Sequence, residues 1–312
     1  MAAPWRLLVL ACTVLLASTL AAQDFDYRLV PKQVAPDTWV VVGRTEDFSR
    51  QNGGNIVNTA FVVTRDGVVV IDTGATRRYG EQLRAAIRAV TDRPVLRVWN
   101  THHHPDHFLG NQGFADVPIA ALPLTRAGQQ SDGAAFADNV YRMAGDWAKG
   151  TEPLPAAQDV KEGGESIGGH DFVFLGLSGH TVADLAILDR TTGVLFAGDL
   201  VFYNRAPTTP HASIAGWRAA LQQIERQHYR LLIPGHGEPV SDGRAVAQTR
   251  RWLEWVDGTL REAATLGQEM TEVLARPLPA DLAAIALSRE EFARSIAHLY
   301  RGYEAATLHK AR

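Results

Sequence analysis

The stretch Thr101-His102-His103-His104-Pro105-Asp106-His107-Phe108 places four histidines and one aspartate within six residues. It directly follows the apolar segment 95–100, which is typical of a β-strand. A strand end followed by a tight loop directs His102 and His104 to one side and Asp106 and His107 to the other, which suits two neighbouring metal ions better than one. In the alternative, purely structural interpretation, each group must be exposed or separately hydrogen bonded, because such groups are costly to bury unpaired.

Three further candidate ligands lie downstream, each where an apolar run meets a loop. His180 lies in the turn 177–184, Asp199 closes the strand-like segment 194–199, and His236 follows the apolar run 231–233 in Pro-Gly-His-Gly. Strand ends that lead into loops are where a rigid scaffold presents reactive groups. Together with the dense motif, these positions favour a metal site over the structural interpretation.

Five motifs, in this order, resemble those of the metallo-β-lactamase-fold hydrolases. They are Asp-Thr-Gly at 72–74, His-x-His-x-Asp-His at 102–107, Gly-His-Thr at 179–181, Gly-Asp at 198–199 and Pro-Gly-His-Gly at 234–237. The resemblance runs from about Thr38 to Pro239. It implies an α+β fold, an αββα sandwich, with a helical C-terminal extension, and it is specific for fold and metal site but not for substrate.

The resemblance also implies a role for each matching residue. One metal ion would be held by His102, His104 and His180, and a second by Asp106, His107 and His236, with Asp199 bridging the two and Asp72 supporting the ligands. His103 occupies a variable position and is not predicted to be a ligand. Imidazole and carboxylate groups without a thiolate suit zinc, and also iron or manganese. We expect two zinc ions per chain, with iron as the alternative.

The predicted chemistry is hydrolysis by a metal-bound hydroxide, because coordination lowers the pKa of water to about 7. Asp106 is the predicted catalytic residue that orients the hydroxide and transfers a proton. Thioesters, lactones and β-lactams are all compatible substrates. Asp199 stands where one subclass of true β-lactamases has a cysteine, which puts β-lactam hydrolysis in doubt. Ser178-Gly179-His180 lacks the elbow pattern of a serine hydrolase.

Two other functions remain open at this point. A finer resemblance, carried by the leader, the segment 52–60 and the helical tail, is to the periplasmic quinoprotein-relay-system zinc metallohydrolases. It implies a periplasmic hydrolase, or an accessory protein of such a redox system. A mononuclear iron persulfide dioxygenase-like enzyme would keep the same motifs and bind iron through His102, His180 and Asp199. Side-chain type alone does not separate zinc from iron.

Residues 1–22 are predicted to be a secretory signal peptide. Arg6 precedes an uncharged apolar run, 7–20, and small residues precede Gln23. The rival interpretation, a membrane anchor, needs roughly 20 apolar residues, so we expect cleavage, no stable membrane insertion and a periplasmic or secreted protein. The single cysteine, Cys12, lies in this leader. The mature chain therefore has no disulfide, and its stability must come from its core and its metal ions.

Composition narrows the class of partner. Without Arg6, the 31 basic residues fall to 30 against 34 acidic residues, which gives no electrostatic footprint for nucleic acid. A small-molecule substrate is expected, and a periplasmic redox partner is possible; the oligomeric state is not determined by the sequence. With 46% hydrophobic residues, a chain of this length can bury one large core. The predicted divisions are 23–240 for the metal-binding domain and 241–312 for the helical extension.

Hydrophobic periodicity predicts antiparallel strands early in the chain and amphipathic helices later. The predicted strands are 39–42, 57–64 and 68–72, and the predicted helices are 78–90, 214–224, 246–266 and 289–305. The C-terminal helices are expected to pack on the chain's own core. The segment 123–165 contains a predicted helix whose large apolar residues either shape the substrate pocket or belong to the core; these are Phe136, Tyr141, Met143 and Trp147.

Three residues near the motifs are candidates for contact with substrate. Tyr203 and Arg205 follow Asp199 in a loop, and a guanidinium at position 205 would suit an anionic group. Asn111, four residues after His107, is predicted to orient the ligand loop and is the third candidate.

Overall fold

The computed structural model describes residues 25–310, so the predicted leader lies outside the described residues. The strands are β1 (Lys32–Ala35), β2 (Thr38–Val41), β3 (Thr59–Val63), β4 (Val68–Ile71), β5 (Val95–Trp99), β6 (Ile119–Ala121), β7 (Gln158–Asp159), β8 (Gly164–Ile167), β9 (His170–Leu177), β10 (Asp184–Asp189), β11 (Val194–Phe202) and β12 (Leu231–His236). The helices are α1 (Arg77–Val90), α2 (Pro105–Phe108), α3 (Pro123–Ala144), α4 (Ile214–Glu225), α5 (Arg244–Thr265), α6 (Met270–Leu274), α7 (Ala280–Ala283) and α8 (Ser288–Lys310).

Two mixed sheets face each other at the centre of the molecule. The first has the order β1-β2-β3-β4-β5-β6-β7, and the second has the order β12-β11-β10-β9-β8. Their inner faces share a core of β-branched and aromatic side chains, among them Val62, Val69, Trp99, Phe174 and Ile187. Burying apolar side chains on both inner faces is what holds a sandwich of sheets together. The predicted αββα sandwich is confirmed.

Helices cover both outer faces. On the first sheet, α1 begins at the N-cap Thr76, whose side chain accepts a hydrogen bond from the Tyr79 amide, and it buries Leu83 and Ile87. On the second sheet, α4 and α5 bury Trp217 and Trp252 in a separate core. The predicted helices 78–90 and 214–224 therefore form within a residue or so of their expected bounds.

The C-terminal helices belong to the same core as the second sheet. Phe292 and Tyr300 of α8 are fully buried with residues of β11 and α5, and the Phe292 ring lies 4.5 Å from that of Trp255. The tail thus packs on the chain's own core, as expected. The short helices α6 and α7 were not predicted, because too few residues carry a helical period there. Between residues 25 and 310, no helix combines the length and apolarity needed to cross a membrane.

Candidate metal centre

The dense histidine motif forms a tight loop between β5 and α2. Pro105 is the first residue of α2 and Asp106 lies in its first turn, where proline and acidic residues are both favoured. Two backbone anchors hold the loop: the Thr73 amide donates to the His107 carbonyl at 2.9 Å, and the Asn100 side-chain amide donates to the same carbonyl at 3.3 Å. The loop is therefore fixed against the end of the first sheet.

His180 projects from the turn between β9 and β10. The turn is closed by Asp184, whose carboxylate accepts hydrogen bonds from the Thr181 amide and hydroxyl. Burial raises the pKa of Asp184 to about 7, although these donors oppose the shift. The His180 ring lies 5.0 Å from the Trp217 ring. A buried hydrogen-bonded turn and an aromatic wall therefore orient this histidine.

Asp199 lies inside β11 rather than at its end, which corrects the predicted strand boundary. The strand continues to Phe202 because its pairing with β12 shifts register around Gly198, which has a φ of 51°. Such a bulge turns a side chain out of the regular pleat. A Cβ at Gly235 would lie 1.9 Å from Asp199 Oδ1, so glycine at 235 leaves the space that the carboxylate occupies.

The structure brings all seven candidate ligands together in two groups that meet at Asp199. The groups are His102, His104, His180 and Asp199, and Asp106, His107 and His236. Asp199 Oδ2 faces the first group, 3.3 Å from His180 Nε2. Asp199 Oδ1 faces the second group, 3.2 Å from His107 Nε2 and 3.4 Å from His236 Nε2. One carboxylate therefore offers one oxygen to each group.

Hydrogen bonds made by the Nδ1 atoms of His107 and His236 set the orientation of the second group. Asp72 accepts from His107 Nδ1 at 2.7 Å, from the Thr101 amide at 2.8 Å and from the Thr101 hydroxyl at 2.7 Å. His236 Nδ1 donates to the Ile56 carbonyl at 2.7 Å. In both histidines the Nε2 lone pair is left for a ligand, which is the usual arrangement around a metal ion. Asp72 has a φ of 58°, a conformation with an energetic cost that surrounding contacts must offset.

The buried carboxylates of the site suit a cationic partner. Burial would raise the pKa of Asp199, but His236 and His107 hold the pKa of this carboxyl well below its usual value. Burial would likewise lower the pKa of His107, yet Asp199, Asp72 and Asp106 raise it. Buried carboxylates that stay ionised need a positive partner. A metal ion is one such partner.

Unpaired atoms show that the cluster fits a divalent metal ion. Within residues 25–310, four buried atoms of the cluster lack a hydrogen-bond partner: His102 Nε2, His107 Nε2, His180 Nδ1 and Asp199 Oδ1. Buried polar atoms are almost always paired, and these four belong to residues of the two groups. Imidazole nitrogens and carboxylate oxygens are suitable ligands for a divalent transition metal.

A cavity of about 220 Å³ opens onto both groups. Four candidate ligands contribute to its wall: His104, Asp106, Asp199 and His236. Four apolar side chains also line it: Phe48, Ile56, Phe136 and Met143. The lining includes three charged residues as well: Asp47, Arg205 and Arg294. The cavity combines reactive groups, an apolar wall and a charged edge, as small-molecule sites do.

The predicted substrate residues fall in different places. Arg205 lines the cavity and is buried. Asn111 is fully buried behind the ligand loop, where its amide donates to Asn100 Oδ1 and to the Leu154 carbonyl. Tyr203 is half-buried, and its side chain lies beside Arg244. Asn111 therefore orients the loop rather than facing the cavity, and Tyr203 also lies away from it, because the Gly198 bulge changes which residues after Asp199 turn inward.

The large apolar residues of the segment 123–165 divide between the two predicted roles, which are lining the pocket and packing in the core. Phe136 and Met143 of α3 line the cavity. Trp147 is buried in the core beneath the first sheet, and Tyr141 is exposed. The segment thus shapes the pocket with one face and packs into the core with another.

His211 lies with Tyr203 and Arg205 in the loop after Asp199, but sequence reasoning assigned it no role of its own. It lines the cavity, and its Nδ1 lies 2.8 Å from His104 Nε2. His104 Nδ1 faces His180 Nε2, so His104 uses Nδ1 toward the first group and donates from Nε2–H to His211. His103, His104 and His211 also lie close enough together to hold a metal ion. We interpret the contact between His104 and His211 as a hydrogen bond instead, because 2.8 Å is the length of one.

We expect His211→Leu to weaken metal binding at the first group by roughly 10- to 100-fold, the usual effect of losing such a partner. His211→Asn is the matched control, because the asparagine carbonyl oxygen takes the place of Nδ1 and still accepts. Metal competition with a chromophoric chelator would measure both variants. Equal affinity in the leucine variant and the wild type would contradict this role.

Comparisons with known proteins agree with this geometry. Residues 52–236 match the family model described as "Metallo-beta-lactamase superfamily". The matched range contains every candidate ligand.

Curated relatives are distant and differ in activity. The chain is 27% identical over 193 residues to "Metallo-beta-lactamase IND-1" of Chryseobacterium indologenes, covering 58% of this chain and 72% of that protein. It is 25% identical over 246 residues to an "Atrochrysone carboxyl ACP thioesterase" of Aspergillus fumigatus, covering 72% and 70%. A "Linear primary-alkylsulfatase" of a Pseudomonas species is 23% identical over 292 residues, covering 76% of this chain and 54% of that protein.

Solved structures share the fold. A metallo-beta-lactamase from Pontibacter korlensis aligns with a TM-score of 0.58 at 22% identity, over 73% of this chain and 99% of that one. A metallo-beta-lactamase from Hirschia baltica aligns with a TM-score of 0.57 at 17% identity, over 72% and 97%. At such identities the likeness concerns the fold alone.

Proposed function

Because the chain belongs to the metallo-beta-lactamase superfamily and is a metallo-hydrolase, we propose that it is a dinuclear zinc hydrolase acting on a carbonyl-type substrate. The observation that carries the proposal is the division of Asp199, with Oδ2 toward the first group and Oδ1 toward the second. A carboxylate that serves two ligand groups at once is suited to bridging two ions. A single-ion site would leave one of its oxygens buried and unpaired, at a cost.

The spacing of the ligand atoms supports zinc. Two tetrahedral ligands bound at 2.0–2.1 Å lie about 3.3–3.4 Å from each other. His180 Nε2 lies 3.3 Å from Asp199 Oδ2, and His236 Nε2 lies 3.3 Å from Asp106 Oδ2. These two separations are close to that value, whereas His104 Nδ1 lies closer to His180 Nε2, at 2.8 Å. The two separations that involve a carboxylate suit a small tetrahedral ion better than one that takes longer oxygen ligands.

In the proposed mechanism, the two ligand groups would hold the ions, and the ions would supply a nucleophilic water at neutral pH and a Lewis acid for the substrate carbonyl. Asp106 lies at the cavity wall with Oδ2 toward His236, which leaves Oδ1 to orient the water and to carry a proton to the leaving group. The apolar side, with Phe48 and Phe136, holds the acyl group and keeps bulk water away from it.

Thioesters are the substrates to examine first, followed by lactones and β-lactams. The relatives include a thioesterase and a β-lactamase by name, so membership of the family leaves the scissile bond open. Asp199 stands where a subclass of β-lactamases has cysteine, which makes the lactam the weaker choice. The apolar cavity wall suits an acyl chain.

We also propose that the protein is exported and works in the periplasm or outside the cell, on the basis of Arg6 and the apolar run 7–20. A role beside a periplasmic redox system is part of this proposal. It remains subordinate to the hydrolase activity, because a purely accessory protein has no use for two complete ligand groups.

Metal content and turnover together test the proposed function. The mature protein, purified without added metal, is expected to hold about two zinc ions per chain and to hydrolyse at least one member of a thioester, lactone and β-lactam panel. About one iron per chain, with oxygen consumed in the presence of a persulfide, would replace the proposal with a dioxygenase activity. Two zinc ions without turnover on any panel member would overturn the choice of substrate.

A further inference from the structure

The last helix of the chain reaches the metal cavity, although it lies beyond the range that matches the family model. Arg294 of α8 lines the same cavity as His104 and Asp199. Three contacts fix α8 and the segment just before it to the loop after β11. Arg205 pairs with Ala286 as an isolated bridge, the Thr209 hydroxyl lies 2.7 Å from that of Ser295, and Arg205 Nη2 lies 3.5 Å from Glu291 Oε1. The helix is therefore part of the cavity wall.

Four alternating charges lie along this wall. Glu291 stands between two guanidinium groups, 3.5 Å from Arg205 and 2.7 Å from Arg294, and Arg294 also contacts Asp47. Glu291 and Arg205 are 0% and 4% exposed, whereas the Arg294 side chain is 37% exposed. Asp47 and Glu291 thus hold the Arg294 guanidinium in a fixed position with part of it open to the cavity.

Arg205 is incompletely paired. Its Nε has no hydrogen-bond partner among residues 25–310, and its other nitrogens make long contacts of 3.4 Å to the Ala206 carbonyl and 3.5 Å to Glu291. A guanidinium offers five donors in a rigid fork that matches a carboxylate. A buried ion pair with unmet donors adds little stability. Its position in the lining of the cavity is better explained by a ligand than by the fold.

We propose that Arg205 and Arg294 form a subsite for a carboxylate, so that the substrates are acyl compounds carrying a second, anionic end. This rests on the proposed function for the bond that reacts. The apolar residues Phe136 and Met143 lie in the same cavity. The cavity offers three kinds of surface: the ligand groups, apolar side chains and guanidinium groups. A substrate would match them if it had a reacting carbonyl, an apolar middle and a terminal carboxylate. The C-terminal helix then selects the substrate, while the family domain carries the reactive centre.

Two thioesters of the same thiol test the subsite, one with a glutaryl group and one with a pentanoyl group of equal chain length. Arg294→Gln is expected to raise KM for the glutaryl thioester by about 10- to 100-fold, the range for loss of a hydrogen bond to a charged group. The rise for the pentanoyl thioester is expected to be at least about tenfold smaller. Arg294→Lys should fall between, because it keeps the charge but loses the fork.

Arg301→Gln is the matched control, since Arg301 is an exposed residue of the same helix outside the cavity. Equilibrium binding of the corresponding non-hydrolysable thioethers, measured by calorimetry, provides a readout that does not need turnover. If the wild type prefers the carboxylate-bearing thioether and Arg294→Gln removes the preference, the subsite stands even where neither thioester is hydrolysed and the proposed function fails. If Arg294→Gln and Arg301→Gln leave the preference equally intact, the subsite is overturned while the hydrolase remains.

Discussion

Asp199→Ala is expected to lower the metal content of the protein at both ligand groups and to reduce kcat/KM more than loss of any other single residue. The carboxylate is buried, contributes one oxygen to each group and has His107, His180 and His236 within 3.4 Å. Its removal leaves these histidines without their shared negative partner. We expect the loss of activity to exceed the roughly 10- to 100-fold that removal of a supporting residue costs.

Asp189→Ala is the matched control for this variant. Asp189 is also fully buried and also pairs with a histidine, with its Oδ2 2.8 Å from His170 Nδ1, but it lies away from the candidate ligands. We expect Asp189→Ala to lower the free energy of unfolding and to leave the metal content unchanged. Elemental analysis and thermal unfolding of both variants would separate the two effects. Normal metal content in Asp199→Ala would show that this residue does not bridge the groups.

Asp106→Asn is expected to reduce kcat by about 10²- to 10⁴-fold, the usual contribution of proton transfer by a positioned side chain. Asparagine keeps an oxygen near His236, where Asp106 Oδ2 lies at 3.3 Å, but it cannot take up a proton at neutral pH. Metal content should therefore fall less than in Asp199→Ala. Steady-state kinetics and elemental analysis on the same preparation would measure both quantities.

The leaving group provides a sharper test of the role of Asp106. An alkyl thiolate departs more easily once it is protonated, whereas a nitrothiophenolate departs without a proton. The loss caused by Asp106→Asn should therefore be much smaller for the nitrothiophenyl thioester than for the alkyl thioester. An equal loss for both would assign Asp106 to holding the metal ion rather than to transferring a proton.

The ligand groups could be proposed from the sequence because each ligand lies in a short motif beside an apolar, strand-like run. His102, His104, Asp106 and His107 are neighbours in the chain, so their spacing alone indicates a shared function. Asp199 lies within β11 and His236 ends β12; since these two strands are parallel neighbours, both residues come to the same end of the second sheet. The apolar strands that carry these motifs also predict the sandwich of two sheets.

The rest of the cavity wall could not be predicted in this way. His211 and Arg294 carry no motif, and they reach the site only because the loop after β11 and the helix α8 pack against each other. The bulge at Gly198 likewise extends β11 past Asp199 and turns Tyr203 away from the cavity. Such contacts depend on tertiary packing between distant segments, which local periodicity does not record.

The position of α8 in the chain also orders the events of folding. A polypeptide emerges amino end first, so every candidate ligand through His236 exists before Arg294 does. In a chain whose ligand groups form before α8 docks, one side of the cavity is still open to any acyl compound nearby. Such a chain would hydrolyse acyl compounds without selecting among them. Selection for a terminal carboxylate would begin once α8 docks and brings Arg294 to the cavity.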